Sequence, residues 1–138
     1  MPPRNSKPVR RATRDPERTR RRILEAALTE FAAKGFAGAR VDAIARRAGA
    51  NKRMLYHYFT DKKGLFQSAL HEKIARRVTI SNAYPDDPGE RVPAWFLATC
   101  ADTDWVRLIG WESLDNPGDE PVDEKSRRQF FAGRRCAR

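Results

Sequence analysis

Residues 48–66 read AGANKRMLYHYFTDKKGLF. A glycine, an asparagine and two cations precede the run Tyr56, His57, Tyr58 and Phe59, and Asp61, Lys62 and Lys63 follow it. A helix has one buried face, so four adjacent aromatic side chains cannot all enter a core. At least two must look outward. With Asn51 as N-cap, Leu55 and Phe59 form an i, i+4 apolar pair on the buried side. Lys52, Arg53, Tyr56 and His57 then lie on the remaining surface, and Tyr58 at the border. An outward tyrosine beside cations suits phosphate oxygens, which accept a hydrogen bond from its hydroxyl.

Working outward, Val41, Ile44, Ala45 and Ala48 form a short apolar stripe that Gly49 closes. Two short helices joined by about three residues including a glycine are the signature of a helix-turn-helix. The first helix of that motif packs over the DNA backbone and the second lies in the major groove. Upstream, Asp15-Pro16 supplies an N-cap and a proline at the first helical position. Leu24, Ala27, Leu28 and Phe31 follow as one buried stripe, and Gly35 is expected to end that helix as a C-cap. Downstream, Asp61 caps a fourth helix with Leu65, Phe66, Ala69, Leu70, Ile74 and Val78 on one face. No stretch alternates as a strand would, and no internal repeat is evident. The expected fold class is all-α.

The chain of 138 residues carries a net charge of +10 that is unevenly spread. Residues 1–80 hold 20 Lys+Arg against 7 Asp+Glu, whereas residues 81–138 hold 8 against 11. The basic half reads as a polyanion-binding module, although charge alone does not separate DNA, RNA, an acidic membrane or a solvated basic surface. Residues 1–15 combine arginines and prolines with few large apolar groups, so a flexible basic arm is expected. There is no run of eighteen apolar residues and no secretory signal, so no membrane partner is expected. Cys100 and Cys136 are too few for a disulfide framework, which suits a reducing, cytoplasmic setting.

The stretch RRILEAALTEFAAKGFAGARVDAIARRAGANKRMLYHYFTDKKGLFQSAL closely resembles the DNA-binding domain of the TetR family of bacterial transcriptional regulators. The likeness runs through Ile23-Leu24, Ala26-Ala27, Phe31, Gly35, Ile44-Ala45, Ala48-Gly49, Leu55-Tyr56, Phe59, Lys62 and Leu65-Phe66. Each element alone is weak, and their joint order and spacing are specific. The resemblance implies an all-helical homodimer that binds a palindromic double-stranded DNA operator, represses genes and releases DNA when a small-molecule effector enters the C-terminal domain. It places DNA contacts at Arg40, Ala50, Asn51, Lys52, Arg53, Tyr56, His57, Tyr58 and Lys62. Tyr56 and Lys62 would hold phosphates, with backbone N–H groups at the start of the fourth helix favouring one beside Lys62. Lys52, Arg53 and His57 would meet base edges.

Three positions depart from the family pattern. Ala39-Arg40 stands where a capping threonine or serine is usual, an omission worth about 0.5–2 kcal/mol; Arg40 could instead contact a phosphate. Arg53 replaces a commonly small residue and either reads guanine, worth about 1–3 kcal/mol of discrimination, or lies along the backbone. Ala50 replaces a usual valine, which predicts a slightly looser turn.

The expected organisation is the arm at 1–15, the helix-turn-helix domain at 16–65, and a connecting helix with an incomplete C-terminal helical domain at 66–138. Residues 82–93 read as a polar, proline-rich linker, with helices expected over 93–101, 104–114 and 122–132. Trp95, Trp105 and Trp111, with Phe96, Leu108 and Ile109, fit either ordinary core or a ligand pocket, core being the simpler reading. Cys100, Asp102 and Asp104 lack a histidine partner, so helix capping explains the aspartates better than a metal does. His71 is expected at the surface. No cofactor is implied, and His57 has no nucleophile or carboxylate partner at a recognisable spacing, so no enzyme is expected. Members of the family are usually longer, and the chain reads as a truncated product or a short variant. The alternative function is that of a non-dimerising fragment that binds nucleic acid nonspecifically.

Overall fold

The computed structural model describes residues 15–115, six helices and the turns between them: α1 (Pro16–Gly38), α2 (Val41–Ala48), α3 (Lys52–Tyr58), α4 (Lys62–Ser81), α5 (Pro88–Ala101) and α6 (Thr103–Asp115). The basic arm and the helix expected over 122–132 lie outside the described residues, as does Cys136.

Side-chain caps start three of the first four helices. Asp15 accepts from the Glu17 N–H at 3.1 Å, Asn51 from the Met54 N–H at 2.7 Å, and Asp61 from the Gly64 N–H at 2.6 Å. Each carboxylate or amide oxygen satisfies a first-turn donor that the helix itself cannot. α2 has no such cap, as the Ala39-Arg40 sequence implies. Gly35 does break α1, with φ 71° and ψ 177°, but a further helical turn follows the kink to Gly38. The extra turn carries Phe36, which packs edge-on against Phe66 of α4 (centroids 5.6 Å apart), itself edge-on to Phe31 at 5.0 Å.

The core is shared by five helices. Ile23, Leu24, Ala27 and Phe31 of α1 meet Ile44 of α2, Leu55 of α3, Leu65, Phe66, Leu70 and Ile74 of α4, and Leu108 of α6; Phe59, just after α3, joins them. Each large apolar side chain buried this way contributes about 1.5–3 kcal/mol relative to exposure. α1 lies at the centre, packed against α2, α4 and α6.

The linker expected over 82–93 is shorter than its composition suggests. α5 begins at Pro88, not Pro93, with Asp87 as N-cap accepting from the Glu90 N–H at 3.2 Å. Pro93 sits within the helix, where its ring removes one ladder donor. Arg91 anchors this first turn by donating to the carbonyls of Ser81 (2.9 Å) and Pro85 (3.0 Å). α5 buries none of its residues fully.

Asp102 joins the two halves. It accepts from Lys73 Nζ at 2.9 Å and Arg77 Nη1 at 3.1 Å, both from α4, and from the Trp105 N–H at 3.2 Å as the cap of α6. Burial pushes its carboxyl up, but those three donors outweigh burial and hold it below the ordinary 3.8. Folding therefore favours the ionised form. Its stability is present in full above 3.8 and is lost as pH falls through the lower folded value. Asp102→Asn is expected to destabilise the protein at pH 7 and to flatten the acid limb of a urea-midpoint profile; an unchanged limb would show that another carboxylate controls it.

Candidate nucleic-acid interface

The turn between α2 and α3 is three residues long: Gly49, Ala50 and Asn51. Gly49 takes φ 61° and ψ 35°, the left-handed conformation that ends a helix, and its N–H returns to the carbonyls of Ala45 and Arg46. The Ala50 N–H also donates to Ala45 O at 2.9 Å. Asn51 then restarts the chain as the α3 cap, so two helix ends are satisfied within three residues.

α3 divides its side chains as the spacing predicts. Leu55 and Phe59 are buried, while Lys52, Arg53, Tyr56 and His57 are exposed, Tyr56 by 44%. Tyr58 is half-buried against the core and meets the His57 ring at 5.5 Å, edge to face. The outward face of α3 is therefore two cations, a phenol and an imidazole, a set able to donate hydrogen bonds to phosphates and base edges.

Several of the expected contact residues already have intramolecular partners. Asn51 Oδ1 is taken by the Met54 N–H, and Ala50 is half-buried against the core. Lys52 Nζ lies 3.4 Å from Asp42 of α2, a pair exposed on both sides and so worth little. Lys62 Nζ stands 4.9 Å over the Phe36 ring and 3.5 Å from the Ala37 carbonyl, which ties the start of α4 to the end of α1. The Asp61 carboxylate occupies the Gly64 N–H, so one of the N–H groups expected to meet a phosphate there is already engaged. Arg40 and Arg53 are exposed.

Two residues of α1 that sequence reasoning passed over reach this motif. Arg22 Nη2 donates to Ala48 O at 2.8 Å and to Gly49 O at 3.4 Å. Glu30, with a side chain only 4% exposed, accepts from Lys34 Nζ at 2.8 Å and from the Arg40 N–H at 3.4 Å. The Lys34 hydrogen bond lowers the Glu30 carboxyl against the raising effect of burial, with help from the Arg40 N–H and the charges of Lys34 and Arg47. The spacing of Glu30 and Lys34 was legible as an i, i+4 pair; the reach to Arg40 was not.

The three tryptophans stand apart from the motif. Trp111 packs its ring on Gly35, where an added Cβ would come within 2.8 Å of it. Trp105 lies under the Arg77 guanidinium at 4.8 Å, and Trp95 is half-buried on α5. An open cleft of about 550 Å³ lies elsewhere, between α1 and the end of α2, lined by residues including Arg22, Glu25, Thr29 and Arg47. His71 is exposed, and Asp102 serves as a cap and ion-pair hub. Among the described residues no helix is long and apolar enough to cross a membrane.

Known proteins share this arrangement. Residues 23–69 match the model of bacterial regulatory proteins of the tetR family. The HTH-type transcriptional repressor SCO4008 of Streptomyces coelicolor is 38% identical over 121 residues, 88% of this chain and 63% of that protein. The repressor NicS of Pseudomonas putida is 46% identical over 54 residues, 39% of this chain and 26% of that one. A TetR family transcription regulator from Marinobacter aquaeolei shares the fold at a TM-score of 0.70 and 18% identity, covering 85% of this chain and 64% of that one. The chain thus spans somewhat under two thirds of the length of SCO4008. Through its N-terminal helix-turn-helix domain, the chain belongs to the tetR family of bacterial regulatory proteins.

Proposed function

We propose that the protein is a cytoplasmic, sequence-specific regulator of transcription, a repressor, that lays α3 in the major groove of a palindromic operator as a homodimer. One observation carries this reading: α3 buries Leu55 and presents Lys52, Arg53, Tyr56 and His57 together. The names of SCO4008 and NicS, both repressors, favour repression over activation. A small-molecule effector acting through the α4–α6 half completes the proposal.

The test is selection of bound DNA from a random library at physiological salt. A palindrome with two spaced half-sites supports a dimeric regulator. A lone half-site supports a monomeric reading head, and no enrichment favours the nonspecific alternative. On the selected site, Arg53→Ala is expected to relax preference at one base position and to cost about 1–3 kcal/mol there. A uniform loss over all sequences would assign Arg53 to the backbone. Lys62→Ala is expected to weaken binding to every sequence and to shallow the salt dependence by about one unit. Because Lys62 also touches Phe36 and Ala37, its melting temperature is measured alongside; an unchanged salt slope would remove Lys62 from the interface.

A further inference from the structure

α2 has no capping side chain of its own, yet both of its ends are held by side chains of α1. At the C-terminal end, the Arg22 guanidinium takes the carbonyls of Ala48 and Gly49. At the N-terminal end, the buried Glu30 carboxylate takes the N–H of Arg40, the residue before α2. The signs are those a helix dipole favours, anion at the start and cation at the finish. The spacing fits as well. Arg22 and Glu30 are eight residues apart on α1, and α2 is eight residues long, so both spans are about 12 Å at 1.5 Å per residue.

Resting on the reading of α3 as the DNA-recognition helix, we infer that Arg22 and Glu30 are positioning residues for sequence recognition, clamping α2 at both ends so that α3 enters DNA at one angle. Only Gly49, Ala50 and Asn51 separate the clamped end of α2 from Lys52 and Arg53. A tilt of α2 therefore displaces the start of α3 directly. Base-edge contacts tolerate little displacement because a bidentate pair needs both hydrogen bonds in line. Phosphate contacts, dominated by longer-range attraction, tolerate more. The clamp thus governs specificity and has little influence on nonspecific affinity. Arg22 retains exposed surface, so a direct phosphate contact is the competing role, and the two roles leave different signatures.

The experiment uses the full chain and the Arg22→Ala, Arg22→Lys and Glu30→Gln variants. Affinity is measured for the selected site and for an unrelated duplex across a salt series, beside the melting temperature and amide hydrogen exchange without DNA. Arg22→Ala is expected to lower specific affinity roughly tenfold, a loss on the scale of one well-made base contact. Nonspecific affinity and salt slope stay unchanged, and exchange rises at Gly49, Ala50 and the first turn of α3. Arg22→Lys, which keeps the charge and a donor, recovers most of the loss. Glu30→Gln, which keeps an acceptor for the Arg40 N–H, is expected to show a milder loss of the same kind. A uniform fall in affinity with a salt slope shallower by about one unit makes Arg22 a phosphate ligand and overturns the inference. A lower melting temperature with the specificity ratio intact also overturns it, leaving a purely structural role. If the unmodified chain selects no sequence, the recognition reading fails. The exchange data then stand alone: unchanged protection at the turn sinks the clamp too, and increased protection loss upholds it as a device that orders the turn.

Discussion

Gly35→Ala is expected to destabilise the protein by about 2–4 kcal/mol, enough to lower its melting temperature by on the order of 10–25 °C. Two independent costs combine. With φ 71° and ψ 177°, Gly35 occupies a region of backbone space open essentially to glycine alone. An added Cβ would also stand 2.8 Å from Trp111 Cδ2 and 2.9 Å from Cε3, so the indole would have to move. Thermal unfolding followed by circular dichroism measures the sum, and a double-mutant cycle separates the parts. In a Trp111→Ala background the collision disappears and only the backbone cost, about 1–3 kcal/mol, should remain. Equal costs in both backgrounds would show that Trp111 does not press on Gly35. The kink matters for the interface too, because the turn beyond it carries Phe36 and Ala37 to Lys62.

Leu108→Ala is expected to cost a further large amount, about 2–5 kcal/mol, because it opens a cavity where α6 meets α1. Leu108 is 1% exposed and belongs to the same cluster as Phe31 and Leu70, although about forty residues separate it from α4's buried stripe. Leu114→Ala on the same helix, at 71% exposure, should stay within about 0.5 kcal/mol. Urea unfolding distinguishes the possibilities with two probes. Tryptophan fluorescence reports α5 and α6 through Trp95, Trp105 and Trp111, and far-ultraviolet dichroism reports the helices together. Coincident transitions are expected, with both shifted by the substitution. Separate transitions would mean that α6 is an appendage and not part of the DNA-binding unit.

The legible features are those governed by short-range rules. Asp15-Pro16, Asn51 and Asp61 each announce a helix start within three residues, and Gly35 and Gly49 announce a change of backbone direction. The division of Tyr56, His57, Tyr58 and Phe59 follows from helical periodicity alone. Asp87-Pro88 obeys the same start rule as Asp15-Pro16. The surrounding prolines obscure it, and Pro93, which reads as a boundary, lies inside α5. Gly35 is a kink inside α1 and not the C-cap its sequence suggests, because the helix resumes to Gly38; the turn beyond has only Phe36 as a large apolar residue and too short a span to show a period.

Local sequence is enough for the order of the helices, the capped starts of α1, α3 and α4, the turn at Gly49 and the outward chemistry of α3, because each depends on residues within four positions of one another. Packing in three dimensions settles which helix α6 covers, what Trp111 presses on, where Glu30 and Arg22 reach, and how Asp102 ties α4 to the α5–α6 junction. Arg22 is 26 residues from Ala48, and Lys73 is 29 from Asp102. Contacts at that separation leave no periodic trace in the chain. They arise when buried apolar stripes bring helices together, and a cation, a carboxylate or a glycine then finds its partner by proximity in space.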